Sequence, residues 1–341
     1  MDGGIQLPDG APMATAIHQF LRGQLLDRRQ RLGRASVAPS GEQIQRLLHE
    51  VDAALARMDE GSFGICENCH DTIECERLIA DPLVRVCLDH LSGSERTALE
   101  RDLELAAEVQ KRLLPPCEQS WGQWEIAYHY DPAGVVSGDY CDVVDAGSQG
   151  LYFMVGDVSG KGVAASMLMA HLHATFRALI SVGLPLRSML EHVGRIFVES
   201  TLPTHYATLI CGRAQADGRV EICNAGHPRP LVLRDCQVTT IECSGLPVGL
   251  FADGQFFVDE LRLDPGNGLL LFSDGVSEAV GSSGEEYGLE RLIGVLAMEA
   301  ARRKPIAAEL VAACRDDLKS FRHGADKLED VTLLMLSRAA A

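Results

Sequence analysis

The 341-residue chain has no excess of positive charge: 31 Lys and Arg stand against 48 Asp and Glu, for a formal net charge of −17. With no basic surplus to release phosphate counterions, direct nucleic-acid binding and attraction to anionic lipid are both disfavoured. The opening run MDGGIQLPDG has neither the charged start nor the apolar core of a signal peptide. No apolar run approaches the roughly 18 residues of a membrane span. These absences predict a folded, soluble, cytoplasmic protein with no membrane partner. A disulfide framework is also missing. The eleven cysteines are an odd number and only the first few are closely spaced, which suits a reducing compartment with one metal site.

The chain does have length and apolar content, 46% of it hydrophobic, enough for two domains, one with a sizeable core. Before residue 61 apolar residues recur twice at helical spacing: Ile17, Phe20, Leu21, Leu25 and Leu32, then Ile44, Leu47, Leu48, Val51, Leu55 and Met58. Ser40 and Gln43 form a capping box for the second run, and Gly33 to Pro39 separates the two, predicting a helical hairpin. A further helix over 94–114 ends at Pro115-Pro116. Its Leu99, Leu103, Ala106 and Leu113, with Gln110 as a polar position, fit either a coiled-coil seam or an amphipathic helix lying on its own domain. The seam would make a homodimer through this linker helix.

From about residue 117 the pattern turns to β-type runs at 151–155, 207–211, 219–223, 230–233, 269–272 and 331–336. Helical patterns interrupt them at 163–180, 186–200, 289–301 and 306–321. Strands in groups with helices around them predict an α+β layered domain. The domain plan is therefore a hairpin with a cysteine-rich module over 1–91, a linker helix over 92–116 and a larger domain over 117–341.

Cys66 and Cys69, then Cys87 and His90, give two chelating pairs seventeen residues apart. Four such ligands complete a closed tetrahedral Zn²⁺ shell with no position for substrate, which describes one structural ion. Cys75 reads as a spare thiol. The run MDEGSFGICENC with the following RLIADP resembles the DksA/TraR zinc-finger family, in which a helical hairpin contacts RNA polymerase. That resemblance implies RNA polymerase as a possible partner. His90 stands where a fourth cysteine is usual.

Four segments place an acid beside glycine or a turn at a strand end: Ser137-Gly138-Asp139-Tyr140, Gly156-Asp157-Val158-Ser159-Gly160-Lys161-Gly162, Ser273-Asp274-Gly275 and Glu329-Asp330-Val331-Thr332. Glycine lets the backbone come close to a metal, and carboxylate oxygens are what hard Mg²⁺ or Mn²⁺ prefer. A nucleotide-binding loop does not fit, because Lys161 is followed by Gly162 and Val163 rather than by a hydroxyl residue.

The segments SGDY, GDVSGKGVAASMLMA, NAGHPRPLVL, GLPVGL, LLLFSDGVSEA and EDVTLL follow the order seen in SpoIIE/RsbU-type phosphatases, a branch of the PPM, or type 2C, metal-dependent Ser/Thr phosphatases. The resemblance implies a β-sandwich of two antiparallel sheets with helices on both outer faces. It places Asp139, Asp157, Asp274 and the Glu329-Asp330 pair at a two-ion Mn²⁺ or Mg²⁺ centre, with the Val158 carbonyl as a further ligand. It implies a phosphorylated STAS-type anti-sigma-factor antagonist as substrate. Glu329 stands where an aspartate is usual. Lys161 fits a phosphate-side charge or a solvated turn residue, and His227 a turn-stabilising or an assisting residue. Two alternatives remain open: a catalytically impaired adaptor, or an RNA-polymerase-binding regulator acting through the zinc module.

Overall fold

Residues 151–158, LYFMVGDV, are apolar at consecutive rather than alternate positions, and such a strand must be covered on both faces. A computed structural model describes the protein over residues 21–23, 25–26, 29, 41–74, 77–78, 81–201, 205–234, 236–242, 245–250, 255–282, 284–302, 306–323, 327 and 329–339. It divides into two compact units between Glu100 and Arg101.

In the first unit, helix α1 (Gly41–Glu60) presents Val51, Ala54, Leu55 and Met58 to a small core that also takes in Phe63 and Ile73. Most of the first helix expected from the sequence lies outside the described residues. So does Cys75.

Helix α2 (Gly93–Leu113) belongs to the second unit from Arg101 onward. Strands β1 (Glu118–Trp121), β2 (Trp124–Asp131), β7 (Leu231–Arg234), β8 (Gln237–Thr240), β10 (Gly268–Phe272) and β11 (Val331–Arg338) form a sheet of order β1-β2-β11-β10-β7-β8. Strands β3 (Asp139–Asp145), β4 (Leu151–Val158), β5 (Ala207–Ala214), β6 (Arg219–Ala225) and β9 (Asp259–Arg262) form a second sheet in chain order. Every pairing is antiparallel.

Alternate residues of β4 split between two cores. Leu151, Phe153 and Val155 face the other sheet, while Tyr152 and Met154 meet helices α3 (Gly162–Val182) and α4 (Leu186–Ser200). Strand β11 does the same, with Leu334 and Leu336 inward, and Leu333 and Met335 outward against α6 (Leu289–Arg302) and α7 (Ala307–Arg322). The result is helix, sheet, sheet, helix, the sandwich implied by the family resemblance.

The strands at 124–131 and 139–145 have no counterpart among the expected β runs. Asp139, Asp142 and Asp145 interrupt the apolar pattern of β3, and the buried Asp142 is held by two hydrogen bonds of 2.6 and 2.7 Å from Arg177 and one of 2.8 Å from the Val143 N–H. On the helix expected to form a seam, Gln110 is buried and Leu103, Ala106 and Leu113 are half-buried, while Leu99, Leu105 and Val109 are 42%, 60% and 53% exposed. The second unit thus covers the later part of the expected seam face, and Leu99 at its start is left open. Among the described residues one helix, the 21-residue α3, is long and apolar enough to cross a membrane, with an 18-residue window of mean hydropathy 1.3. It carries His171, His173 and Arg177 and packs Met169, Leu172 and Phe176 into the core.

Where the sheets face each other, β5 passes the buried Phe153 ring at Gly212, and a Cβ there would lie 2.1 Å from the ring. Gly212→Ala is expected to destabilise the second unit by about 1–3 kcal/mol, the usual cost of overpacking, read as a lower urea midpoint.

Candidate metal centres

In the first unit the chain leaves α1 through a turn closed by Cys66 N–H to Asp71 O at 2.8 Å and His70 N–H to Cys66 O at 2.9 Å. The second arm returns beside it, with Glu67 N–H donating to Arg85 O at 3.0 Å. This brings the ligand atoms of Cys66, Cys69, Cys87 and His90 within 4.8 Å of one another. Cys69 Sγ and Cys87 Sγ lie 3.7 Å apart, Cys87 Sγ and His90 Nδ1 3.2 Å, and Cys66 Sγ and His90 Nδ1 4.0 Å. A tetrahedron with Zn–S bonds near 2.3 Å has sulfur–sulfur edges of about 3.8 Å, so the donors fit Zn²⁺ and stand too far apart for a disulfide.

In the second unit the acidic segments meet at one end of the sandwich. Antiparallel register sets Asp139 of β3 directly opposite Asp157 of β4. In the facing sheet β10 and β11 are neighbours, so Asp274, which opens the short helix α5 (Asp274–Ser277), emerges beside Glu329 and Asp330. Ser273 N–H donates to Thr332 O at 3.0 Å and Thr332 N–H to Ser273 Oγ at 2.9 Å, fixing the two strand ends together. The approach needs a glycine, because a Cβ on Gly275 would stand 2.0 Å from the Asp330 carbonyl oxygen.

The two sheets are stitched at this end. Asp330 Oδ1 accepts from Ala133 N–H at 2.6 Å, and its Oδ2 accepts from Ser137 Oγ at 2.6 Å and Gly138 N–H at 3.1 Å. Thr332 Oγ1 donates to Asp139 Oδ2. Val158 N–H donates to Gly138 O at 3.3 Å, and the Val158 carbonyl lies against Gly138, in the same corner. Asp330 thus holds the 133–138 loop. Glu329 points elsewhere and pairs with Lys161 at 2.6 Å across a cleft of about 420 Å³.

Burial pushes the Asp157 carboxyl up to about 7, aided by Asp274, Asp330 and Glu329 and opposed by Lys161. Asp139 is held well above the usual carboxylate range by burial and then by Asp157, against the Thr332 hydrogen bond. Burial raises Asp274 as well, and Glu329 and Asp330 add to the effect. The acids therefore share one electrostatic neighbourhood with too little positive charge in it. They do not converge on a single point as the thiols do. Among the described residues, only the Cys/His cluster gathers its ligand atoms within 4.8 Å. Carboxylates spread around two ions some 3.5–4 Å apart need not do so, and as hard oxygen donors in a cation-poor pocket they fit Mg²⁺ or Mn²⁺.

His227 is buried. Its main chain exchanges two hydrogen bonds with the Asn224 amide at 2.8 and 2.9 Å, Thr208 Oγ1 lies 2.9 Å from its Nδ1, and burial drives its pKa down to about 3. It staples a turn and stays neutral. Sequence reasoning missed Glu278, whose carboxyl is raised by burial, Asp274, Glu286 and Glu329. It also missed Arg322, which donates to Gly275 O at 3.3 Å. Glu278 was visible as the acid four residues after Asp274, whereas Arg322 had no local signal.

The second unit is similar to the family of Stage II sporulation protein E (SpoIIE), whose model matches residues 147–339. Residues 61–89 match the prokaryotic dksA/traR C4-type zinc finger, a span that holds Cys66, Cys69 and Cys87 and stops one residue short of His90. Phosphoserine phosphatase RsbP of Bacillus subtilis is 30% identical over 191 residues, 54% of this chain and 47% of that protein. Phosphoserine phosphatase RsbU of the same organism is 26% identical over 200 residues, 57% and 59% of the two chains. The chain thus spans about half the length of these relatives. Among solved structures, the RsbU and RsbW domains of Rv1364c from Mycobacterium tuberculosis match with TM-score 0.55 and 28% identity, covering 64% of this chain and 60% of that one. The SiaA-PP2C domain of Pseudomonas aeruginosa shares the fold, with TM-score 0.60 and 18% identity over 72% of this chain and 98% of its own.

Two outcomes follow from the electrostatics and the thiol geometry. Asp157 has a folded pKa above its unfolded value, so its ionised form opposes folding at any pH above about 4. In metal-free protein at pH 8, Asp157→Asn is expected to raise the melting temperature by roughly 5 °C, measured by calorimetry. Stripping the first unit with a strong chelator is expected to remove its helical circular dichroism, since zinc supplies on the order of 10 kcal/mol to such modules.

Proposed function

Because the chain belongs to the SpoIIE family, we propose that it is a metal-dependent phosphatase acting on phosphoserine or phosphothreonine of a regulatory protein. The observation that carries this reading is the meeting of acids from four separate segments at one end of the sandwich, on elements cross-bonded so that they cannot spread apart. Asp139, Asp157, Asp274 and Glu329 would hold two hard divalent cations, with the Val158 carbonyl in reach of the same corner. Such a pair, when bound, lowers the pKa of a shared water and neutralises phosphoryl oxygens for in-line attack.

The protein's own residues divide the remaining work. Asp330, which accepts from three donors, keeps the 133–138 loop in place so that Asp139 stays opposite Asp157, and its Oδ1 retains a lone pair for a cation. Thr332 orients the Asp139 carboxylate. Lys161 lines the cleft with Glu329, its ion-pair partner, and a cation held by Glu329 would compete with the lysine for that carboxylate, leaving the ammonium for a phosphoryl group. His227, buried and hydrogen-bonded through its main chain to the Asn224 amide, serves to hold its turn.

The relatives RsbP and RsbU, each named a phosphoserine phosphatase, support phosphoserine as the target. The family resemblance supports a STAS-type antagonist. Free thiols throughout the described residues accord with a cytoplasmic setting, and Cys66, Cys69, Cys87 and His90 would hold one structural zinc. The match over residues 61–89 supports a subordinate reading, contact with RNA polymerase through that module.

With p-nitrophenyl phosphate and Mn²⁺, wild-type protein is expected to turn over. Asp157→Asn is expected to lose more than about 100-fold, beyond what loss of a supporting residue costs. No turnover with any divalent ion would transfer the case to the non-catalytic adaptor, and turnover that survives Asp157→Asn would overturn the assignment of the reaction to this acidic centre.

A further inference from the structure

Helix α2 is exposed along most of its length, yet Gln110 in its penultimate turn is only 6% exposed. A buried amide must find partners for both of its ends, and here one residue supplies both. Gln110 Nε2 donates to the Ser137 carbonyl at 2.7 Å, and Gln110 Oε1 accepts from the Ser137 backbone N–H at 3.0 Å. Ser137 lies two residues before β3 begins and has no strand partner, so the glutamine does for its main chain what a neighbouring strand would do.

Ser137 is the hub of the acidic centre. Its hydroxyl donates to Asp330 Oδ2 at 2.6 Å and accepts from the Asp139 N–H at 3.0 Å. From the helix to two acids of the centre there is thus one intervening residue, held at its backbone on one side and by its side chain on the other. The apolar neighbours of Gln110 on this face, Leu103, Ala106 and Leu113, show that packing alone asks for a hydrophobe. The amide is required by the Ser137 main chain.

We infer that Gln110 is a positioning residue for the metal centre: it fixes Ser137, and through it the Asp139 backbone and the Asp330 carboxylate, to the last turns of α2. A shift or rotation of the helix must therefore carry the 133–139 loop with it or break both amide hydrogen bonds. The inference rests on the proposed metal-dependent reading and names a chain residue that tunes it.

The test uses the full, zinc-replete chain and Mn²⁺ as probe, with binding read by isothermal titration calorimetry so that turnover is not needed. Gln110→Met keeps length and bulk but cannot donate or accept, and it is expected to weaken Mn²⁺ binding by about tenfold or more, as for residues that orient metal ligands. Glu108→Ala, on the exposed side of the same helix, leaves binding unchanged. Hydrogen exchange on wild type is a second measurement that needs no variant to fold: Mn²⁺ is expected to slow exchange in the 105–113 and 133–140 segments together. Equal affinity in a folded Gln110→Met protein, or protection confined to 133–140, overturns the inference alone. Wild type that binds no Mn²⁺ overturns the functional reading and this inference with it.

Discussion

Carboxylates gathered at one end of a sandwich repel one another, and burial makes the repulsion worse by withholding water. Asp139, Asp157 and Asp274 all carry raised pKa values, which is to say that the fold holds them together at a cost. What holds them is the set of hydrogen bonds that crosses from one sheet to the other, centred on Asp330 and Thr332. Charge-assisted bonds of this kind are shorter and stronger than neutral ones. Three donors on one carboxylate tie the 133–138 loop to the start of β11.

This division of labour explains why two adjacent acids at 329 and 330 behave so differently. Asp330 accepts three hydrogen bonds from the 133–138 loop, while Glu329 accepts none from that loop and is paired to a lysine from a distant loop. An extra methylene at 329 therefore alters reach without disturbing the fold, whereas a longer side chain at 330 would displace three donors. The thiol and imidazole cluster of the first unit obeys different chemistry: soft donors, a closed shell and no cleft.

Much of this was legible in the residues before any coordinates. The meeting of Cys66, Cys69, Cys87 and His90 was, because a chelating pair is a local geometry that spacing alone describes. The helices at 186–200 and 289–302 and the strands at 151–158 and 331–338 were, because their apolar patterns are long and regular. Strand β3 was not, since its aspartates are stabilised by Arg177 and Thr332, partners with no local signature. The role of Gln110 was hidden for the same reason. Read along the helix it is a polar flaw in a seam, and its purpose lies 27 residues away. Asp330 was placed among the acids of the centre by its motif, but its service to the loop backbone could be seen only once the two sheets were face to face.

The two facing aspartates do not stand on equal footing. Asp157 lies on an interior strand, laddered to Asp139 on one side and to Thr208 on the other, whereas β3 is a border strand with a single ladder. Beyond that one ladder Asp139 is anchored by side chains, the Ser137 hydroxyl on its N–H and Thr332 Oγ1 on its carboxylate, where Asp157 is gripped by main chain on both sides. A substitution at Ser137 or Thr332 thus loosens one jaw of the pair and leaves the other as it was.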